Sequence, residues 1–308
     1  MFFMLDRLYR QALLKKVIGK KELIILNLHK ISNTINPFYS PLSPKLFEEL
    51  LKYVSKYFNI ITFQQIEEYQ HTSKPNMILS FDDGYYDFLE YAMPIMEKYH
   101  VSANLNIIPS CVENQEPMWN IKLYDFLNSS PIKLIKEMEI EGFSYKINER
   151  NKSQFGMLLG RHLKQMPREE REIYLKELEP IFEKNSHIKY TRMLTIKDVI
   201  EISQYHEIGV HSYSHESMEY ESDIFFREDF LKCQDFFNHK LQLPMNIYAF
   251  PNGSYRDTQL SFLKDNRIEH ILLVNNQCAT YNKNIYNRFT FYADSISELK
   301  LRALGFKK

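Results

Sequence analysis

Short apolar runs and amphipathic stretches alternate along most of the chain. Leu23 to Leu28 reads Leu-Ile-Ile-Leu-Asn-Leu between lysines and polar residues; a run this short and continuous predicts a strand buried on both faces. It delivers His29 at its C-terminal end. From Pro44 to Tyr57 the apolar residues Leu46, Phe47, Leu50, Leu51 and Val54 fall on one helical face. A short strand near Asn59 to Thr62, a helix from about Phe63, a buried strand from Asn76 to Phe81, a helix from Tyr85 to Tyr99 and a strand from Ala103 to Ile108 continue the rhythm. Strand, helix, strand in this order predicts parallel strands joined by right-handed crossovers.

Between about Ile121 and Arg192 the rhythm breaks: charged and apolar residues mix at helical spacing and no core strand is evident. This stretch predicts a helical insertion, a candidate lid. The repeat resumes with a helix from Thr195 to Tyr205, a strand from Glu207 to Val210, a helix over about Ser222 to His239 and a strand from Asn246 to Phe250. A helix near Asp257 to Asn266 and a strand from about His270 to Val274 follow. The expected fold is therefore α/β, a distorted β/α barrel of about seven or eight mostly parallel strands, because chemistry in such folds gathers at the C-terminal strand ends. The barrel domain spans residues 21–308. A helical extension is expected over residues 1–20, where Leu5, Leu8, Leu13, Leu14 and Val17 approach helical spacing.

Composition narrows the function classes. With 308 residues and 44% hydrophobic side chains, the chain can bury one large core with an insertion. Lysine plus arginine and aspartate plus glutamate number 39 each, so no broad basic surface for nucleic acid is indicated. The 22 Phe and 21 Tyr fit a thick core first and sugar-stacking surfaces second. Cys111, Cys233 and Cys278 are odd in number and far apart, which argues against a disulfide framework or a structural zinc and favours a reducing compartment. The start, Met1-Phe2-Phe3-Met4, lacks the features of a secretory signal, and no run reaches the ~20 apolar residues of a membrane span. The expected location is the cytoplasm, with peripheral attachment to a membrane as the alternative.

The candidate chemistry sits at strand ends. Asp82-Asp83-Gly84 closes the third strand; taken alone it is a plain strand-exit turn. Neighbours at a strand end point in different directions, so one carboxylate can hold an ion while the other faces a bound water. His211-Ser212-Tyr213-Ser214-His215 follows the Glu207–Val210 strand. Had that strand continued, a rise of ~3.3 Å per residue would part the rings by about 13 Å, so a turn through Ser212 and Ser214 is required to bring them within ~6 Å. One carboxylate and two imidazoles suit a divalent metal, zinc first, with nickel or cobalt as alternatives. Tyr248-Ala249-Phe250-Pro251-Asn252-Gly253 runs a strand into a turn that can aim a backbone N–H inward as an oxyanion donor.

With Ser80-Phe81-Asp82-Asp83-Gly84 and His211-Ser212-Tyr213-Ser214-His215 in this order, the chain from about Leu23 onward resembles the polysaccharide deacetylase family, metal-dependent carbohydrate esterases of distorted β/α-barrel fold. The resemblance implies Asp82 as general base and Asp83, His211 and His215 as metal ligands. The chain departs from the better-known pattern: no Arg precedes Pro251 and no late His supplies the general acid. It is more similar to the branch that includes poly-N-acetylglucosamine deacetylases, with a Tyr-Pro-Asn-Gly type turn and an early strand ending in His. That similarity implies His29 as acid, Arg288 as the residue that orients Asp82, and Trp119 as a sugar-stacking aromatic; Tyr213 and Pro251, inside the motifs, are further candidates for substrate contact. The expected activity is N-deacetylation of an amino sugar in a glycan or glycan precursor, with no nucleic-acid partner and an undetermined oligomeric state. An O-acetyl carbohydrate esterase and an inactive glycan-binding barrel are the alternatives.

Overall fold

The computed structural model describes residues 23–138, 142–281 and 283–305; the helical extension expected over residues 1–20 lies outside them. Its strands are β1 (Ile24–Leu28), β2 (Asn59–Ile60), β3 (Asn76–Asp83), β4 (Asn104–Ile107), β5 (Glu207–Val210), β6 (Ile247–Ala249), β7 (His270–Val274) and β8 (Ile285–Thr290). Every pairing between them is parallel. β1 lies between β3 and β8, so the order β1-β3-β4-β5-β6-β7-β8 closes on itself as a barrel, and β2 flanks the first residues of β3.

Closure depends on β8, which the apolar pattern did not announce. Its sequence is Ile-Tyr-Asn-Arg-Phe-Thr, and Arg288 within it is fully buried. A strand that carries a cation into a barrel cannot read as a continuous apolar run.

Local signals set most helix boundaries. Helix α1 (Pro44–Tyr57) begins where Ser43 accepts the Leu46 N–H and Pro44 has no N–H left to satisfy, and it buries Phe47, Leu50, Leu51 and Val54. α2 (Ile66–Tyr69) is a single turn after a 3₁₀ segment. The helix expected over Tyr85 to Tyr99 opens instead as a π turn at Phe88–Ala92 and becomes α3 at Met93–Lys98. Between β4 and β5 come α4 (Pro109–Asn114) and then, over the stretch expected as an insertion, α5 (Trp119–Ser129), α6 (Ile132–Ile135), α7 (Lys152–Lys164) and α8 (Arg168–Glu183). These helices gather a core of their own around Leu123, Phe126, Leu127, Leu159 and Leu163. α5 and α7 approach closely at Gly160, where a Cβ would stand 2.3 Å from the Tyr124 hydroxyl. After it come α9 (Ile196–Ile202), α10 (Asp223–Asp235), α11 (Asp257–Asp265) and α12 (Ile296–Arg302). Among the described residues no helix is long and apolar enough to cross a membrane.

Candidate active site

β3 runs on through Asp82 and Asp83, two residues beyond the Phe81 end expected from the apolar run, with Asp82 in register with Asn106 of β4. Asp82 points into a polar ladder inside the barrel. Arg288 Nη1 donates to Asp82 Oδ1 at 2.7 Å and Nη2 to Oδ2 at 2.8 Å, while Asn106 Nδ2 donates to Oδ1 at 2.8 Å. Behind them Ser80 Oγ donates to Asn104 Oδ1 at 2.7 Å and accepts from Arg288 Nη1 at 3.0 Å. Gly209 of β5 makes room for the ladder, since a Cβ there would meet Asn106 Oδ1 at 2.2 Å. Burial pushes the Asp82 carboxyl up, but the Arg288 and His211 charges and the Arg288 hydrogen bonds outweigh it and hold the group well below the usual carboxylate range. Asp82 is thus kept ionised with both oxygens fixed.

Asp83 turns the other way, toward the two histidines. The loop between them coils because Ser212 and His215 adopt left-handed backbone, φ 56° and 62°. Ser212 Oγ accepts the N–H of His215 at 2.8 Å and of Glu216 at 3.3 Å, closing the turn. The ring centroids come to 5.0 Å. His211 Nδ1 lies 2.8 Å from the Ala249 carbonyl; assigning the ring proton there leaves the Nε2 lone pair facing Asp83. Asp83 Oδ1 is 3.6 Å from His211 Nε2 and 3.4 Å from His215 Nε2. Donors held ~2.1 Å from a zinc ion at tetrahedral angles stand about 3.4 Å apart, so the spacing fits a divalent ion. Asp83 Oδ1 is also buried with no hydrogen-bond partner among the described residues. Burial lowers the pKa of both imidazoles, which keeps them neutral and able to ligate. Asp83, His211 and His215 can therefore hold a metal.

The histidine loop is braced from two sides. Asp229 of α10 accepts the Tyr213 N–H, at 2.9 and 2.6 Å to its two oxygens. From the insertion, Arg168 Nη1 donates to Ser214 Oγ at 3.1 Å, and Arg171 pairs with buried Glu216 at 2.5 Å. Burial pushes the Asp229 carboxyl up to about 7, against the Tyr213 N–H. An acid whose pKa is higher folded than unfolded, where ~3.9 is usual, binds its proton more tightly in the native state. Its contribution to stability is complete at low pH and is lost as pH rises through the folded pKa. In metal-free protein Asp229→Asn should therefore gain on the wild type between about pH 4 and about pH 7, as followed by denaturant unfolding. A stability difference that stays flat across that range would mean that Asp229 is ionised throughout.

A cleft of about 640 Å³ opens over these groups, lined by Asp82, Asp83, His211 and His215 together with His29, Asn252 and Lys164. His29 is half-buried and meets Tyr39 edge-on at 6.0 Å. Its pKa is lowered by burial, with Asp83 and Asp82 opposing. Asn252 sits in left-handed backbone, φ 56° and ψ 9°. The substrate-contact candidates fall elsewhere. Trp119, at the start of α5, lines a neighbouring cavity of about 820 Å³ with the Arg171 guanidinium 4.8 Å over its ring. The Tyr213 hydroxyl donates to Glu113 Oε2 at 2.7 Å, and Pro251, the first residue of its turn, is buried. None of the three lines the cleft, whose aromatic residues are Phe38, Tyr39, Tyr85, Phe291 and Tyr292. The sequence reading also passed over Lys164 and the Ser80–Asn104–Asn106 ladder. The ladder had a signal: polar residues at every second position of otherwise apolar strands, Ser80 with Asp82 and Asn104 with Asn106.

Comparison with known proteins places this geometry. The family model described as polysaccharide deacetylase matches residues 185–271, which include both histidines and the Asn252 turn. No curated protein matches the sequence. Among solved structures, Streptococcus pyogenes deacetylase PplD in complex with acetate superposes with a TM-score of 0.60 at 16% identity, over 92% of this chain and 98% of that one. IcaB from Ammonifex degensii gives 0.58 at 15% identity, over 92% and 97%. A de-N-acetylase from Aggregatibacter actinomycetemcomitans gives 0.55 at 14%, over 89% and 96%. At such identities the likeness to these structures is one of fold. In the family match over residues 185–271, in the two motifs and in the barrel that carries them, this chain is similar to the polysaccharide deacetylases.

Proposed function

We propose that the protein is a metal-dependent hydrolase that removes N-acetyl groups from an amino sugar in a glycan or glycan precursor. The observation that carries the proposal is the division of labour at the acidic pair: Asp83 joins two neutral imidazoles at ion-binding distances while Asp82 is held ionised by Arg288 in the same cleft. A bound divalent ion, zinc by its donor set with nickel or cobalt as alternatives, supplies Lewis-acid activation of water and of the acetyl carbonyl.

Asp82 is fixed to accept a proton from the attacking water, since Arg288 and Asn106 fix its oxygens and keep it anionic. The Asn252 turn, at the same cleft, offers a backbone N–H to the acetyl oxygen as it becomes negative. His29 donates the proton that the departing amine needs. The C–N bond breaks, a C–O bond forms, and acetate and a free amino sugar result. The de-N-acetylase from Aggregatibacter actinomycetemcomitans shares the barrel along most of this chain, which supports amide over ester cleavage. Chelation followed by metal addition tests the reading: turnover of N-acetylglucosamine oligomers should vanish and return, and should be compared with paired O-acetylated sugars. Unaltered glycan binding with no turnover in the metal-loaded protein would leave a binding barrel instead.

An amine leaves poorly unless protonated, so loss of the acid should weigh most on amides. His29→Ala is expected to slow N-deacetylation by roughly 10²–10⁴-fold while sparing metal content, and to cost less on an ester with a good leaving group. Equal losses on both substrates would remove His29 from the acid role.

A further inference from the structure

One cation of the insertion enters the cleft. Lys164 ends α7, a helix anchored by buried Phe155, Leu159 and Leu163, and its side chain lines the same cavity as Asp83 and His215. Lys164 Nζ donates to Asn252 Oδ1 at 3.1 Å, and the other end of that amide, Asn252 Nδ2, donates to Ser217 Oγ at 3.0 Å. The Asn252 side chain is therefore tied at both ends. This matters because its backbone is left-handed, a conformation unfavourable for most L-residues that Asn tolerates through local hydrogen bonds. Among the described residues Lys164 forms no ion pair, so its charge is not cancelled by a bonded carboxylate.

Resting on the deacetylase reading, we propose that Lys164 is a positioning residue of the reaction centre: its ammonium holds Asn252 in the turn that presents the N–H to the acetyl oxygen, and adds positive charge where that oxygen becomes negative. The insertion then supplies part of the reaction machinery rather than a cover alone. The same charge should favour acetate, the anionic product, which gives a readout apart from turnover.

The test compares full-length metal-loaded wild type with Lys164→Met, which keeps the length and loses the charge, and Lys164→Arg, which keeps the charge. Metal affinity, acetate affinity by calorimetry, and kcat and KM on an N-acetylglucosamine oligomer are measured for each. Lys164→Met is expected to retain metal, bind acetate about tenfold more weakly and lose roughly 10²-fold in kcat with little change in KM, the scale of removing one oxyanion donor. Lys164→Arg should recover most of the acetate affinity. Should Lys164→Met fail to fold, Lys164→Ala with added methylamine replaces it, and rescue of acetate binding by the amine is expected. Acetate affinity and kcat within twofold of wild type in Lys164→Met, or no amine rescue in Lys164→Ala, would overturn the proposal. A wild type that binds acetate in a Lys164-dependent way yet cleaves no acetamide would instead defeat the deacetylase reading and leave the placement of Lys164 standing.

Discussion

Asp83→Ala is expected to abolish both metal binding and turnover, whereas Asp82→Asn should keep the metal and lose turnover by roughly 10²–10⁴-fold. The two residues are adjacent, yet the barrel gives them different partners. Asp83 Oδ1 is buried, lacks a hydrogen bond and stands 3.4 and 3.6 Å from the two imidazoles, so removing it takes away one of three charged or lone-pair donors and the one anion among them. Asp82 lies 3.8 Å from His211 through Oδ2 but is claimed by Arg288 on both oxygens. Elemental analysis after desalting, beside a turnover assay, separates the two outcomes. Retention of metal in Asp83→Ala, or near-normal turnover in Asp82→Asn, would reverse the assignments.

Arg288→Met should destabilise the protein by about 3–5 kcal/mol, the usual range for removing one partner of a buried ion pair. Both side chains are buried and bonded twice to each other, and Arg288 also serves Ser80. Without the guanidinium, burial would govern Asp82 and push its carboxyl up, so the residue would take a proton within the working pH range and cease to accept one from water. Turnover should fall with stability. The double variant Arg288→Met with Asp82→Asn should recover much of the stability and none of the turnover, because no uncompensated charge then remains. Denaturant unfolding of the four proteins in the cycle gives the coupling; additive losses would show that the pair is energetically idle.

Much of the fold was legible because burial on both faces writes a strand as a short apolar run. Leu23 to Leu28, Asn76 to Phe81 and Glu207 to Val210 announced β1, β3 and β5 in this way, and Ser43-Pro44 marked the start of α1 through its cap. β8 was not legible, since its interior residue is Arg288, a cation whose burial is possible only where Asp82 and Ser80 meet it across the barrel. Trp119, which the resemblance offered for sugar stacking, shows the opposite limit: its ring meets Arg171 of α8 in the neighbouring cavity, a placement that only the packing of the helices determines.

The sequence by itself determined the donors, the acidic pair and the requirement that the His211–His215 segment coil, because ligand chemistry and the rise of a strand are local properties. The resemblance implied which carboxylate meets the imidazoles and which is fastened to Arg288, but only the tertiary structure brings those contacts about and decided that Lys164 reaches Asn252. Those outcomes depend on helix packing and on barrel closure through β1 and β8, which pairs residues up to 263 positions apart, distances over which no local pattern in the chain carries information.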